Sequence, residues 1–228
     1  MSQYGIELYA DTGLKFVIPD YSGFVFSHYH DFTLYAKNWD DSVFHSQAYP
    51  AGAQVAAFTR VIGRGGNAGY VPTVAYQDTG SHLNFTYIYY QSSFYPSDYV
   101  VVRIYFFYNK EVRADNSSYG LRVFDESGNI VFHTSSKPLR LQRISWGFQD
   151  GWATDTGHGV ATLCSSLGQR GNVQQQPYPM THIYNVVATG EGTTLKAGLS
   201  YQNTIPTLAY VNRNLNSEII YINTNYYD

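Results

Sequence analysis

Short runs of β-branched and aromatic residues, separated by turn-forming residues, extend along the whole chain. Such residues favour strands, and clusters of Gly, Asn, Asp and Ser mark the turns between them. No long segment keeps a helical period with capping residues. The pattern predicts strands at Gly5–Tyr9, Lys15–Ile18, Gly23–Ser27, Phe32–Ala36, Gln54–Ile62, His82–Tyr90, Asp98–Tyr108, Tyr119–Phe124, Ile130–His133, Leu139–Phe148, Thr181–Ala188, Leu208–Asn212 and Glu218–Asn223. We therefore predict an all-β protein with an antiparallel β-sandwich-type architecture built from hairpins.

Two of these strands carry further information in their alternation. Both faces of the strand that ends at Tyr108 carry apolar bulk, which predicts a strand covered on both sides. The strand from His82 to Tyr90 has one apolar and one more polar face, which predicts one buried face. We expect these two strands to pair through the turn Ser92–Ser97.

The segment Tyr4–Phe16 aligns without gaps on Tyr119–Val131, with three identical positions. Both segments predict a hairpin, in which a strand is followed by a Gly and a returning strand. Duplication and two independent uses of a common hairpin both explain the similarity. Two β units at 1–110 and 111–228 are predicted, with a boundary in the polar run Asn109–Ser118. A single β domain is the alternative.

The segment Gln149–Pro179 shows no clear element, and such a length of loop is typical of functional segments. We predict a surface that contacts a receptor or glycan here. Its candidate residues are Trp146, Asp150, Trp152, Asp155, His158 and Tyr178. A glycan hydrolase with the carboxylates of Asp150 and Asp155 is a weaker hypothesis, because Asp in a Gly-rich loop more often caps a turn.

Composition narrows the class of protein. Charged residues make up 14% of the 228 residues, aromatic residues 17%, and the net charge is −3. These values exclude a basic nucleic-acid binder, and one cysteine, Cys164, excludes a disulfide framework. The sequence shows no secretory signal and no apolar stretch of about 18 residues. We expect a protein made in a cytoplasm, not embedded in a membrane, whose uncharged polar surface suits a virion component.

Other candidate chemistry is weak. His28-Tyr29-His30-Asp31 places two imidazoles on one face of an extended segment, and a metal site would need a further ligand such as Asp41 or His45. Structural histidines are the favoured interpretation. Gly63–Gly69 is interpreted as a hairpin or flexible loop, because no Lys-Ser or Lys-Thr pair follows it. We therefore predict no catalytic residue, no metal and no cofactor.

The tyrosine surplus suggests contacts between subunits, because Tyr supplies rigid contact area at little entropic cost. Core packing accounts for many of these rings. Tyr221, Tyr226 and Tyr227 are hard to bury locally, so they are predicted to lie at a subunit interface.

The hairpin Tyr119–Phe132, with the Lys137-Pro138-Leu139-Arg140 that follows it, resembles a segment of small tail-tip and tail-fibre-associated proteins of lambda-like tailed bacteriophages. The segment Tyr4–Gly13 is similar to the start of the same proteins. The resemblance implies a non-enzymatic virion tail component that assembles with other tail proteins as a trimer or hexamer. Contact with a host-surface glycan or an outer-membrane receptor is a separate hypothesis, which the resemblance does not carry. A separate carbohydrate-binding module or adhesin is the alternative function.

Overall fold

The computed structural model describes residues 7–9, 15–17, 23–35, 44–65, 73–88, 99–109, 122–124, 130–133, 135–146, 151–164, 168–174, 180–205, 212–213 and 218–228. The strands are Glu7–Tyr9 (β1), Lys15–Val17 (β2), Val25–Tyr35 (β3), His45–Ala48 (β4), Val55–Gly65 (β5), Thr73–Asp78 (β6), His82–Ile88 (β7), Tyr99–Tyr108 (β8), Arg122–Phe124 (β9), Ile130–His133 (β10), Leu141–Ser145 (β11), Trp152–Asp155 (β12), Val160–Leu163 (β13), Gly168–Gln174 (β14), Met180–Glu191 (β15), Thr194–Ile205 (β16), Asn212–Arg213 (β17) and Glu218–Asn223 (β18). One turn of 3-10 helix, Thr224–Tyr226, follows β18. The prediction of an all-β, sandwich-like protein is confirmed. Within the described residues, no helix has the length and apolar character that a membrane crossing requires.

The strands form one large curled sheet, a three-stranded sheet and two separate hairpins. In the large sheet the hydrogen-bonded order is β11-β18-β13-β5-β15-β14-β17, β8 joins β5 to β3, and β16 joins β15 to β12. The small sheet has the order β4-β7-β6. Described pairings are antiparallel except that of β15 with β5, where Gly190 lies opposite Arg60.

Strand β8 lies between two layers of apolar side chains. Its inner face, which carries Ile104 and Phe106, packs against Leu83 and Phe85 of the small sheet. Because burial of large apolar side chains is the main favourable term in folding, this contact holds the small sheet on the large one. The inner cluster consists of Leu34, Ala57, Val61, Val74, Leu83, Phe85, Val100, Val102, Ile104, Phe106, Tyr108 and Cys164.

The outer face of β8 carries Tyr105 and Phe107 and is covered by the curled continuation of its own sheet. Ala161 of β13 and Ile222 of β18 pack over these rings, together with Tyr227. The prediction that this strand is covered on both sides is therefore confirmed. A third cluster fills the space between β18, β13, β15 and β16.

The pairing predicted for the strand from His82 and the strand that ends at Tyr108 is wrong. Strand β7 pairs with β4 and β6, whereas β8 pairs with β3 and β5. The prediction that β7 has one buried face is confirmed, since Leu83 and Phe85 are buried. Their apolar face packs against the face of β8 across the sandwich, so the two strands meet face to face rather than edge to edge.

The segment Gln149–Pro179 is not a long loop, because β12, β13 and β14 all fall within its described parts. Residues 63–65, interpreted as a hairpin or loop, form the end of β5. The polar residues His28–Asp31, which separated two predicted strands, lie inside the continuous strand β3. In each case the residues were polar or glycine because the strand has one exposed face or packs closely against a neighbouring strand, and this composition does not resemble that of a typical strand.

The two repeated hairpins are both present, as the antiparallel pairs β1–β2 and β9–β10. Strands on either side of the predicted boundary near residue 110 nevertheless share one sheet, since β5 pairs with β13 and with β15. They also share one core, in which Phe58 and Phe107 pack with Ala161 and Ile222. This shared sheet favours a single β domain, while residues 110–121 lie outside the described residues.

Gly190 makes the close approach of β15 to β13 possible. A Cβ atom added at Gly190 would collide with the backbone carbonyl of Val160. We expect Gly190→Ala to lower the free energy of unfolding by about 1–3 kcal/mol or more, because backbone has to move to make room. Urea titration followed by circular dichroism measures this change.

Gly63→Ala is the matched control, since its added Cβ would lie 3.5 Å from Val101 Cγ2 in ordinary contact. We expect a change of less than about 1 kcal/mol there, because Ala is intrinsically the better strand residue. Equal unfolding midpoints for the two variants would contradict the close approach.

Candidate functional site

Two arginines lie opposite each other on the outer face of the large sheet, Arg60 on β5 and Arg103 on β8. Like charges directly opposite each other destabilise a sheet. Two carboxylates offset them. The Asp31 carboxylate accepts from Arg103 Nε at 2.7 Å and Nη2 at 2.9 Å, and the Asp228 carboxylate accepts from Arg60 Nη1 at 2.9 Å and Arg103 Nη1 at 3.0 Å. With Tyr105, whose hydroxyl donates to Asp228 at 2.7 Å, these residues form what we call the Arg103 network.

Residues 224–228 bring Asp228 to this position. Tyr227 is 2% exposed, its ring centroid lies 4.9 Å from that of Phe107, and its hydroxyl donates to the Pro138 carbonyl at 2.9 Å. Arg60 Nη1 also donates to Thr224 Oγ1 at 2.5 Å. Asn223 caps the 3-10 turn by accepting from the Asn225 amide at 3.0 Å. Residues 224–228 are therefore held by the buried ring of Tyr227 on one side and by Arg60 and Arg103 on the other.

The network shifts the pKa values of three of its members. Burial raises the pKa of Asp228, but the hydrogen bonds from Tyr105 and Arg103 and the charges of both arginines outweigh it and lower this pKa below its usual value. The hydrogen bond to Asp31 raises the pKa of Arg103. Burial, followed by the bond to Asp228, raises the pKa of Tyr105. At neutral pH Asp228 is therefore an anion, Arg103 a cation and Tyr105 a neutral phenol.

Strand β3 extends the network into an exposed row. Tyr29, Asp31, Thr33 and Tyr35 alternate with inward-facing residues and are all exposed. The Arg103 guanidinium carbon lies 3.9 Å from the centroid of the Tyr29 ring, a cation–π contact. Strand β3 pairs with β8 along its length, and its first residue, Val25, also forms an antiparallel bridge to Pro138. We call these four residues the β3 row.

The tryptophans predicted to form a surface pack instead with the third apolar cluster. Trp146 is 5% exposed and lies with Leu195, Ile219 and Tyr221, so its ring has no open face on which a sugar could stack. Trp152 is half-buried against the same cluster. The expectation that Trp146 is a surface residue is therefore wrong, because β11 and β12 turn both indoles toward the cluster.

Asp155 caps a turn. Its Oδ1 accepts from the Gly157 amide at 3.0 Å, and Gly157 has a positive φ of 72°. This backbone hydrogen bond is the main cause that lowers the pKa of Asp155. A general acid needs a raised pKa, so the geometry of this carboxylate supports the turn-capping interpretation.

His158 lies between two elements of the large sheet. Its Nε2 is 3.2 Å from Gln142 Oε1, and its ring stacks on that of Tyr221 with centroids 6.4 Å apart. Through Tyr221 the histidine joins the cluster that holds Trp146 and Trp152. Asp150 and Tyr178, the other predicted members of this surface, lie outside the described residues.

The three tyrosines predicted at a subunit interface separate in the structure. Tyr221 and Tyr227 are buried in the chain's own clusters. The premise that these rings could not be buried locally is wrong for both, because the sheet curls over them. Tyr226 is 49% exposed, with the Arg140 guanidinium carbon 4.8 Å from its ring centroid.

The histidines of the sequence His28-Tyr29-His30-Asp31 lie on the inner side of β3, with ring centroids 4.9 Å apart. His45 lies beside His30, with centroids 5.9 Å apart. Asp31 points to the opposite face and pairs with Arg103. In the described residues, no group of three or more His, Cys, Asp or Glu is placed to hold a metal ion.

Sequence reasoning missed the Arg103 network and the β3 row. One signal was present, since Arg103 is the single charged residue within Tyr99–Tyr108. Its partners Asp31 and Asp228 lie 72 and 125 positions away along the chain. The pairing of β3 with β8 brings Asp31 to Arg103, and the packing of residues 224–228 on the outer face of β8 brings Asp228 there.

Comparisons with protein-family models, with curated proteins and with solved structures gave no match. The function proposed below therefore rests on the contacts of this chain and on the resemblance of its hairpins.

We expect the Asp228 carboxylate to stabilise the fold in a pH-dependent way. Because its pKa is lower in the folded state, the stabilisation is present above the usual carboxyl pKa of about 4 and is lost as pH falls through the lowered value. Asp228→Asn should lower the free energy of unfolding by about 1 kcal/mol at pH 7, allowing for screening by solvent. Urea titrations at pH 7 and pH 3 should show this difference narrowing toward zero.

Glu218→Gln provides the control. Its carboxylate lies 3.6 Å from Arg143 Nη1 in an exposed pair, for which we expect less than about 0.5 kcal/mol at either pH. A difference between wild type and Asp228→Asn that stays constant from pH 7 to pH 3 would show that the charge of Asp228 is not the cause.

Proposed function

We propose that this chain is a non-enzymatic structural component of a bacteriophage tail, located at the tail tip or associated with the tail fibres. The resemblance of Tyr119–Phe132 and Tyr4–Gly13 to small tail proteins supports this proposal. In the structure, Tyr119–Phe132 contains β9 and all but the last residue of β10, which pair as an antiparallel hairpin, and Tyr4–Gly13 contains β1, which pairs with β2. The turn-capping role of Asp155 favours this function over a glycan hydrolase that uses Asp155.

The observation that carries the proposal is an exposed surface at the end of the large sheet. Leu141 on β11 is 52% exposed, and it follows Arg140, whose guanidinium lies over the exposed ring of Tyr226. In the described part of the sheet, β11 pairs with β18 alone. Tyr and Arg are enriched where proteins meet, and a strand edge offers backbone groups to a partner. We call Arg140, Leu141 and Tyr226 the assembly surface.

In this proposal the chain forms a trimer or hexamer through the assembly surface and meets other tail proteins in the particle. Closed ring symmetry is the usual arrangement of such oligomers. The ring of Tyr226 is stacked with Arg140 before any partner binds, which reduces the entropy lost on association.

Light scattering of the purified chain tests the assembly. We expect the mass of a trimer or hexamer for the wild type. The double variant Leu141→Asp, Tyr226→Ala should weaken association at least about tenfold, because it removes an apolar anchor and an aromatic one. Tyr35→Ala, which removes a tyrosine of similar exposure from β3, should leave the mass unchanged.

Mass spectrometry of purified particles tests the location, and the chain is expected among their proteins. A wild-type chain that stays monomeric at all concentrations, or particles without this chain, would refute the proposed function.

A further inference from the structure

The β3 row presents two aromatic rings and two hydrogen-bonding groups along one line. Tyr29 is 40% exposed and Tyr35 is 44% exposed, with the exposed side chains of Asp31 and Thr33 between them. The two tyrosines are six positions apart along the strand, which is about 20 Å. The surface is therefore long and narrow and follows one strand of the sheet.

Each exposed tyrosine contacts the tyrosine that lies directly opposite it on β8. The Tyr29 ring meets that of Tyr105 edge to face with centroids 6.0 Å apart, and Arg103 lies on one of its faces. The Tyr35 ring lies 6.1 Å from that of Tyr99. Tyr99 in turn occupies the space beside Gly65, where an added Cβ would collide with the ring. Both platforms are thus held in position before any ligand binds, and such preorganisation lowers the cost of binding.

The hydrogen-bonding groups between the platforms have spare capacity. A carboxylate has about four acceptor sites, and Arg103 takes one on each oxygen of Asp31. The Asp31 side chain is still exposed to solvent, so its remaining lone pairs are available to hydroxyl donors. The hydroxyl of Thr33 adds a group that both donates and accepts.

The charges of this surface are already paired. These formal charges sum to zero, and the ion pairs join Arg60 to Asp228 and Arg103 to both Asp31 and Asp228. A charged ligand would have to break these ion pairs, whereas an uncharged ligand rich in hydroxyls uses only the free lone pairs. Two polar side chains between two separate aromatic rings also differ from the contiguous apolar core of a protein interface.

We propose that the β3 row binds an extended, uncharged oligosaccharide, with the C–H faces of two sugar rings on Tyr29 and Tyr35 and intervening hydroxyls on Asp31 and Thr33. As a site for a glycan of the host surface it deepens the proposed function and rests on it. The binding site itself, however, can be tested on the isolated chain.

The test uses a microarray of bacterial surface polysaccharides, with cellohexaose, maltoheptaose and chitohexaose as neutral linear probes and polygalacturonate as a charged comparator. We expect the wild type to bind at least one neutral glycan and not polygalacturonate. Calorimetric titration with the strongest neutral probe should then show affinity about tenfold lower for Tyr29→Ala and for Tyr35→Ala, because each loses a stacking platform. The double variant should show no binding.

Matched variants separate the site from general damage. Tyr226→Ala removes a ring of similar exposure from the assembly surface and should bind the glycan as the wild type does. Tyr29→Phe keeps the ring and should stay within about threefold of the wild type, since the platform is retained. Circular dichroism and the unfolding midpoint check that each variant is folded.

Three results would overturn the proposal: no neutral probe bound by the wild type, unchanged affinity in both alanine variants, or binding of polygalacturonate alone. Light scattering distinguishes failure here from failure of the proposed function. If Tyr29→Ala and Tyr35→Ala lower the oligomer mass and leave glycan binding unchanged, the β3 row is a contact between copies and the glycan site is refuted.

Discussion

The fold depends on one strand that has to be covered on both faces. Strand β8 carries Ile104 and Phe106 on one side and Tyr105 and Phe107 on the other, and all four are buried. A single sheet cannot bury both sets, because each face of a sheet needs its own covering layer. The small sheet covers the inner face, and the large sheet curls so that β13 and β18 cover the outer face. The curl of the sheet and the packing of Tyr227 on the outer face of β8 follow from this requirement.

The apolar layer that covers the outer face of β8 ends at Arg103, and the exposed β3 row begins there. Beyond this residue Val101 and Tyr99 are half-buried, while the neighbouring side chains of β3 are exposed. An arginine at the rim can pack its stem on the core and keep its charged end near water. Because Arg60 lies directly opposite, the rim would be unstable without Asp31 and Asp228. The ion pairs of Arg103 with Asp31 and Asp228 therefore also fix the guanidinium that contacts the ring of Tyr29.

Alternation along single strands was predictable from the sequence, but the neighbours of those strands were not. The two-faced character of β8 and the buried face of β7 were both visible in their residues. Their relation was not, because face-to-face packing and edge-to-edge pairing use the same alternation. Strands β12 to β14 were hidden by glycines and polar residues that serve turns and close approaches, such as Gly157. Asp228 gave no signal, since its partner Arg103 lies in a distant part of the chain.

The aromatic surplus shows why composition alone does not locate a contact surface. Tyr105, Tyr108 and Tyr227 are buried, so much of the surplus serves the core that β8 demands. Burial raises the pKa of Tyr108 to about 12 and leaves its hydroxyl neutral, which suits a ring packed among apolar neighbours. The exposed rings of Tyr29 and Tyr226 each have a guanidinium beside them. An exposed ring that is held rigidly loses little entropy on binding, so the proposed contact surfaces rest on the combination of exposure with a fixed position.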